Sequence, residues 1–388
     1  MLFQRKQVTA LLVMLCMLVA GAFALSGCGG GTSSQKVLKI GVVGPESGGA
    51  AQLGQGQRKA VQMAVDEINA KKLAGDWKLE VFFEDDEGNP TKSASATNKL
   101  IQQSQVNVLI GAIHSSATLA DMVVTARAGL PQLTAGSTGT SITEQGNKWI
   151  FRTAVNDGFQ ANALMKYAKD VLKIKKVATF TAADDYGQSG AKLLAAAAQR
   201  EGLQLVATPT YNNGDKDFKP QLLTIKDGGA EGIFMWGLYQ DAALIGKQAR
   251  QLDMKAQLFG ASGMAALKLI ELGGDAVQGL ILTQTFLPDS PDAKVKEFVT
   301  KYKEKYKENP IPHAAQAYDT VYILADAVKR ANGVKADALR DAIAKTGGLK
   351  LVTGSPKFND KGDDIGKNLL VTVIKGNQFE LIKTVPTN

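Results

Sequence analysis

"VLIGAIHSSATLADMV", residues 108–123, decides how the rest of the chain is read. An apolar run of strand character stops at His114, Ser115 and Ser116, and the residues after it carry helical spacing. A strand–loop–helix unit of this kind puts hydroxyls at the carboxyl end of a strand, where open parallel α/β sheets bind ligands. Free backbone N–H groups and the helix dipole at such a point favour an anion. A serine that merely caps the helix is the simpler reading, but a cap needs one hydroxyl and this loop supplies two.

The same alternation runs outward in both directions. Upstream come "VLKIGVV" (37–43), "RKAVQMAVDEINA" (58–70), "KLEVFFEDD" (78–86) and "TKSASATNKLIQQ" (91–103). In the first helical piece Val61, Ala64, Val65 and Ile68 form one apolar stripe. The strand-like runs are apolar almost throughout, as expected when helices cover both faces of a parallel sheet. The pattern restarts after "KWIFRTAVND" (148–157), with strands at "KKVATFTAADD" (175–185), "LQLVATPTY" (203–211), "EGIFMWGL" (231–238) and "AQLFGAS" (256–262). Helices are expected from about Gly187, near Phe218 and up to about Leu252. The fold class is therefore α/β, with two doubly wound parallel-sheet lobes. The C-terminal part departs from this order, with helices around 292–307 and 312–332 followed by strand-like "NLLVTVIKG" and "QFELIKTV". A third domain of that size would lack its own core, so the tail is expected to complete the two lobes.

The first residues belong to a different class of segment. Arg5 and Lys6 precede an uncharged apolar run from Val8 to Leu25, which ends in "LSGC" at 25–28. Residues 1–27 read as a signal peptide, and "LSGC" resembles the lipobox of bacterial lipoproteins, in which the cysteine, here Cys28, is acylated. Cys16 would be discarded with the signal peptide, so no internal disulfide is possible. Removing 27 of 388 residues leaves 361, comfortable for two domains. Residues 28–36 read as a flexible tether. Without Arg5 and Lys6, 43 cations face 37 acids, a net +6. The densest basic patch, "KVKEFVTKYKEKYKENP" (294–310), interleaves glutamates and reads as a solvated helix face, so no nucleic-acid partner is expected.

A second hydroxyl-rich loop follows the next strand. "LPQLTAGSTGTSIT" (130–143) supplies Gly136, Ser137, Thr138, Gly139 and Thr140. Two such loops without lysine or arginine suit a carboxylate held by neutral donors, since a phosphate usually attracts a cation. "GVVGPESGGAAQLGQG" (41–56) lacks the G-x-G-x-x-G spacing, and no P-loop occurs. His114 and His313 are the only histidines, no G-x-S-x-G is present, and no paired histidines have metal-ligand spacing. No catalysis, cofactor or metal is expected. In the second half the strand ends carry Asp184, Asp185 and Tyr186, then Trp236 and Tyr239, then Ser262; the aromatics there suit either a cleft or the core.

Together "IGVVGPESGGAAQLGQ", "DDEGNPTKSASATNKLI", "VLIGAIHSSAT", "LPQLTAGST", "IFRTAVND", "DDYGQSGAKLL", "AAQAYDTVYILADAV" and "FNDKGD" resemble a known family. Over essentially its whole mature length the chain resembles the extracytoplasmic solute-binding proteins of branched-chain amino acid ABC transporters. The resemblance implies the type I periplasmic-binding-protein fold, whose chain crosses three times between lobes. The crossings would fall near 152–157, 283–289 and 352–357. Lobe 1 would then comprise 37–153 plus 287–353, and lobe 2 would comprise 154–286 plus 354–388. It also implies that Ser115, Gly136 and Thr138 hold a ligand α-carboxylate, with Ser116 and Ser137 as neighbours, while Tyr186 and Tyr239 close from the second lobe.

Two departures bear on the ligand. Where leucine-binding members place an acid for the α-ammonium, in "GPEG", this chain reads "GASG" (260–263) with Ser262, and Leu53 replaces a tyrosine of the first loop. The family cysteines near "DDEGNP" and "GAIH" are absent as well. A buried ammonium without a counter-charge is costly, so either Asp184, Asp185 or Asp241 takes over, or the ligand lacks an ammonium. The expectation is a lipid-anchored, monomeric receptor outside the cytoplasmic membrane. It would hand an amino acid of branched-chain or other apolar type to an ABC permease and its ATPase. The alternative is a receptor for an aromatic or aliphatic acid or an amide. A third class, an enzyme or sensory module, would need an added segment that the chain does not show.

Overall fold

A computed structural model describes residues 35–387, so the signal peptide, the Cys28 anchor and nearly all of the tether lie outside the described residues. The first sheet contains β1 (Lys36–Gly44), β2 (Trp77–Asp85), β3 (Val108–Ile110), β4 (Gln132–Thr134) and β5 (Ile150–Arg152), in the order β2-β1-β3-β4-β5. Its pairings from β1 through β5 are parallel, with Ile40 opposite Val108, Leu109 opposite Gln132 and Leu133 opposite Phe151. The inner strands β3 and β4 and the edge strand β5 are three residues each and wholly buried, while the nine-residue edge strand β2 is mostly half-buried. Val61, Ala64, Val65 and Ile68 of the Ala51–Ala70 helix are all buried, as their spacing predicts.

The second sheet is built from β6 (Lys176–Ala182), β7 (Gln204–Ala207), β8 (Thr210–Tyr211), β9 (Gly232–Trp236), β10 (Gln257–Gly260), β11 (Ile281–Gln284), β12 (Asn368–Lys375) and β13 (Gln378–Pro386). Its order is β13-β12-β11-β10-β9-β6-β7, with β8 also on β6. β6 through β11 pair in parallel, and the β12–β13 hairpin closes one edge antiparallel to β11. "NLLVTVIKG" and "QFELIKTV" thus do join the second lobe's sheet. The Pro312–Ala331 helix packs instead on the Ala51–Ala70 helix of the first. On the Ala293–Tyr306 helix, Val295, Phe298, Val299 and Tyr302 are buried, and Lys301 and Lys305 pair with Glu67 and Asp66. The interleaved charges predict a solvated face; the pairs to Glu67 and Asp66 of the Ala51–Ala70 helix are what the structure adds. Strand β5 and the segment before β12 meet where Arg152 bridges to Asp363. Close by, buried Asp319 accepts hydrogen bonds from the Val352 and Thr353 amides.

Trp236, at the end of β9, is fully buried. A Cβ at Gly190 would lie 2.1 Å from its indole, so the Asp185–Glu201 helix rides directly on that ring. Of the two roles open to this tryptophan, core packing is the one the structure shows.

Candidate functional site

Each sheet reverses its winding once, between β1 and β3 in the first and between β6 and β9 in the second. Ligand crevices open beyond the carboxyl ends of strands at such points. The loops leaving β3, β4, β6 and β9 all converge on one such crevice.

Beyond β3, the Ser115–Ala128 helix begins with His114 at the N-cap position, and no side chain caps it. The serines are therefore not spent as helix caps. Ser115 is buried, and its Oγ accepts the Gly139 amide at 3.3 Å. Ser116 points into a separate, larger chamber. Beyond β4, Gly136 is required by close approach, because a Cβ there would stand 3.0 Å from Ile113 Cα and 3.3 Å from the His313 ring. Thr138 is buried at the same surface. Ser137 faces the other way, its hydroxyl 2.6 Å from that of Thr118 and bonded to the Ile113 and Ala112 carbonyls. It locks the loop and does not reach the cavity. Arg152, fully buried, closes the far side of the loop by bonding the Gly139 carbonyl and Thr143.

The helix carrying Ser115 is fixed from behind by Asp121, which accepts from Ser93 at 2.9 Å and Thr97 at 3.0 Å. Ser93 also reaches Asp86 at 3.1 Å, so two buried carboxyls share one hydroxyl. Burial above all, with Asp86 adding repulsion, raises Asp121 from 3.8 to about 8. Asp86 itself is raised to about 6, again by burial first. A carboxyl whose folded pKa exceeds its unfolded value destabilises the fold as pH climbs between the two, because only the unfolded chain ionises freely. Asp121→Asn, which cannot ionise, should therefore gain on the wild type in urea-unfolding stability as pH rises from about 5 to about 8, by at most about 1.4 kcal/mol per pH unit. A difference independent of pH would show that Asp121 is already charged in the fold.

From the second sheet, Asp184 caps the helix after β6 by accepting the Gly187 amide at 2.8 Å. This fixes Tyr186, whose buried hydroxyl accepts the Gly263 amide at 3.3 Å. Tyr239, after β9, accepts the Gln52 amide at 3.4 Å, and Gln52 in turn accepts the Lys268 amide at 3.1 Å. The Thr140 amide donates to Ser189 at 3.3 Å. Loops from the two sheets are thus latched across the crevice.

Between them lies a narrow cavity of about 20 Å³. Ser115, Gly136 and Thr138 line one side, and Tyr186, Leu238 and Gly263 the other. Leu53, Ile113, His114 and His313 complete it. A chamber of about 430 Å³ adjoins it through His114 and Leu238 and carries Ser116, Asp184 and Asp241 together with Glu87. No lysine or arginine is among the residues lining either space. The structure therefore brings Ser115, Gly136, Thr138 and Tyr186 together as expected, and puts Ser116, Asp184 and Asp241 next door.

Ser137, Asp185, Tyr239 and Ser262 line neither space. Asp185 is exposed. Leu238 and Gly263 line the cavity where Tyr239 and Ser262 were expected, one residue along each turn. Sequence reading passed over His114, His313 and Leu238 as site residues. The rarity of histidine in the chain was the one signal available for the first two.

Among the acids, Asp157 comes closest in character to a counter-charge behind Thr138. It is fully buried, and its Oδ2 accepts from Ser189 at 3.2 Å. Burial pushes it up to about 6, against the lowering pull of the Thr138 hydroxyl, Arg152 and Ser189. Asp241 is also raised to about 6, mainly by burial, with the Gly214 amide and Lys216 opposing and Asp215 and Asp184 reinforcing. What the arrangement offers is a small cavity with neutral donors at one end and carboxylates behind and beside it, which suits a zwitterion.

The family profile described as periplasmic binding protein matches residues 37–378. The leucine-, isoleucine-, valine-, threonine- and alanine-binding protein of Pseudomonas aeruginosa is 26% identical over 344 residues, covering 88% of this chain and 91% of that protein. Among solved structures, the leucine-binding protein LivK of Thermotoga maritima superposes with a TM-score of 0.85 at 29% identity, covering 90% of this chain and 99% of that one. The branched-chain amino acid substrate-binding protein LivJ of Streptococcus pneumoniae, solved with isoleucine, gives 0.82 at 28% identity over 90% and 99%. With the two switch-point sheets and the cavity between them, these matches place the chain: it belongs to the periplasmic binding protein family, the extracytoplasmic solute receptors that serve transporters.

Proposed function

We propose that this chain is a lipid-anchored receptor that captures an α-amino acid of about branched-chain size and delivers it to an ABC permease. The observation that carries the reading is the convergence of Ser115, Gly136 and Thr138 with Tyr186 on one cavity that no lysine or arginine lines. The α-carboxylate would sit against the Ser115 and Thr138 hydroxyls. Asp157, behind Thr138, and the acids of the adjoining chamber would supply the field that balances the ammonium. We take 37–153 plus 287–353 and 154–286 plus 354–388 as the two bodies that close, with the Arg152–Asp363 junction at the hinge and Gln52 as the latch. Ligand then favours the closed form by touching both bodies. Cys28 would hold the monomer at the membrane through the tether, where the permease and its ATPase read the closed form.

The test is thermal unfolding of ligand-stripped protein with leucine, phenylalanine and their des-amino acids. Amino acid at about a hundred times its dissociation constant should add about 2.7 kcal/mol of stability, and the des-amino acids should add little. A shift with the des-amino acids alone would replace the amino acid by an acid without an ammonium, with Ser262 marking the change.

A further inference from the structure

The only two histidines of the chain both line the small cavity. His313, in the first turn of the Pro312–Ala331 helix, is 3% exposed, and its Nδ1 has no partner. His114 also leaves a buried Nδ1 unpaired; its ring packs over Gly88, where a Cβ would come within 2.6 Å. Among the described residues neither imidazole makes a hydrogen bond. Burial, reinforced by its neighbour His114, lowers His313 to about 4, so its ring is neutral near pH 7 and offers one donor and one acceptor. Beside the carboxylate end and Tyr186, whose hydroxyl accepts the Gly263 amide, the side chains of Leu53, Ile113 and Leu238 are apolar. Buried polar groups are normally satisfied, and those that are not need an explanation. An aliphatic ligand side chain would offer neither ring a partner.

We propose that His313, with His114 beside it, is a specificity-determining residue that selects amino acids of branched-chain size whose side chain carries a hydroxyl or carboxamide. The inference rests on the amino-acid reading above and names the substrate class within it. Apolar walls hold the stem of such a side chain, and its polar end pairs with the imidazoles. Sites built to bond a ligand hydroxyl or amide reject an analogue of the same shape that lacks it, because their own polar groups are then stranded.

Two nearly isosteric pairs test this by titration calorimetry on the stripped protein: threonine against valine, and asparagine against leucine. The polar member of each pair should bind at least about tenfold more tightly. In His313→Leu the ratios should fall toward one through a gain for valine and leucine. His313→Gln, which restores donors and acceptors, should keep the preference and serves if the leucine variant does not fold. Valine and leucine binding as tightly as their partners, or ratios untouched in His313→Leu, overturns the selectivity while leaving the amino-acid receptor standing. If none of the four binds, both fall.

Discussion

Replacing Ser115 and Thr138 together by alanine is expected to weaken amino-acid binding by about a hundredfold or more, with the ligand-free protein unfolding close to where the wild type does. Each hydroxyl bonded to a charged carboxylate contributes about 1.5–3 kcal/mol, and two independent bonds combine to that loss or beyond. Both side chains lie at the cavity wall. The loop carrying Thr138 is instead held by Ser137 and Arg152. The fold loses the bond from the Gly139 amide to Ser115 and the support that the Thr138 hydroxyl gives buried Asp157, and keeps the rest of the loop's anchoring. Equilibrium binding on the double variant decides the matter, and an affinity equal to the wild type removes the carboxylate from this site.

Arg152→Met should destabilise the protein by about 3–5 kcal/mol, because it strands a carboxylate that the guanidinium now pairs. Arg152 is fully buried, bonds Asp363 at 2.8 Å and Thr143 at 2.8 Å, and also holds the Gly139 carbonyl. One side chain thus ties the binding loop to the junction where β5 meets the segment leading to β12. Removing both partners, in Arg152→Met with Asp363→Asn, should recover much of the loss, since the uncompensated charge is gone. Chemical denaturation of the two variants measures this. A loss below about 1 kcal/mol in the single variant would mean that water already satisfies Asp363.

The two winding reversals were legible because they rest on local signals. Apolar strands alternate with striped helices, and the hydroxyl-rich loops follow strands. That rule pointed to the loops that carry Ser115, Gly136, Thr138 and Tyr186, the family resemblance singled out the first three within them, and these four line one cavity. The misses share one cause, which is that the direction of a side chain within a turn depends on dihedral angles that composition does not specify. Ser137 was grouped with its neighbours, yet its hydroxyl turns inward to the Ile113 carbonyl. Tyr239 and Ser262 were each one residue away from the Leu238 and Gly263 that face the cavity. His313 was out of reach for another reason. It arrives at Gly136 across nearly two hundred residues of chain, on a helix whose packing partner is the first helix of the fold.

The central claim, a carboxylate of a zwitterion held by neutral donors between two closing bodies, is tested most directly by calorimetric titration of the stripped protein. The ligands are the amino acid that stabilises it best and the methyl ester of that amino acid. The ester keeps the ammonium and the side chain, and replaces the charged carboxylate facing Ser115 and Thr138 by a neutral group one methyl larger. The account predicts clear saturable binding of the amino acid and at least about a hundredfold weaker binding of the ester. Equal binding of the two would contradict it, and would mean that this cavity does not read the carboxylate.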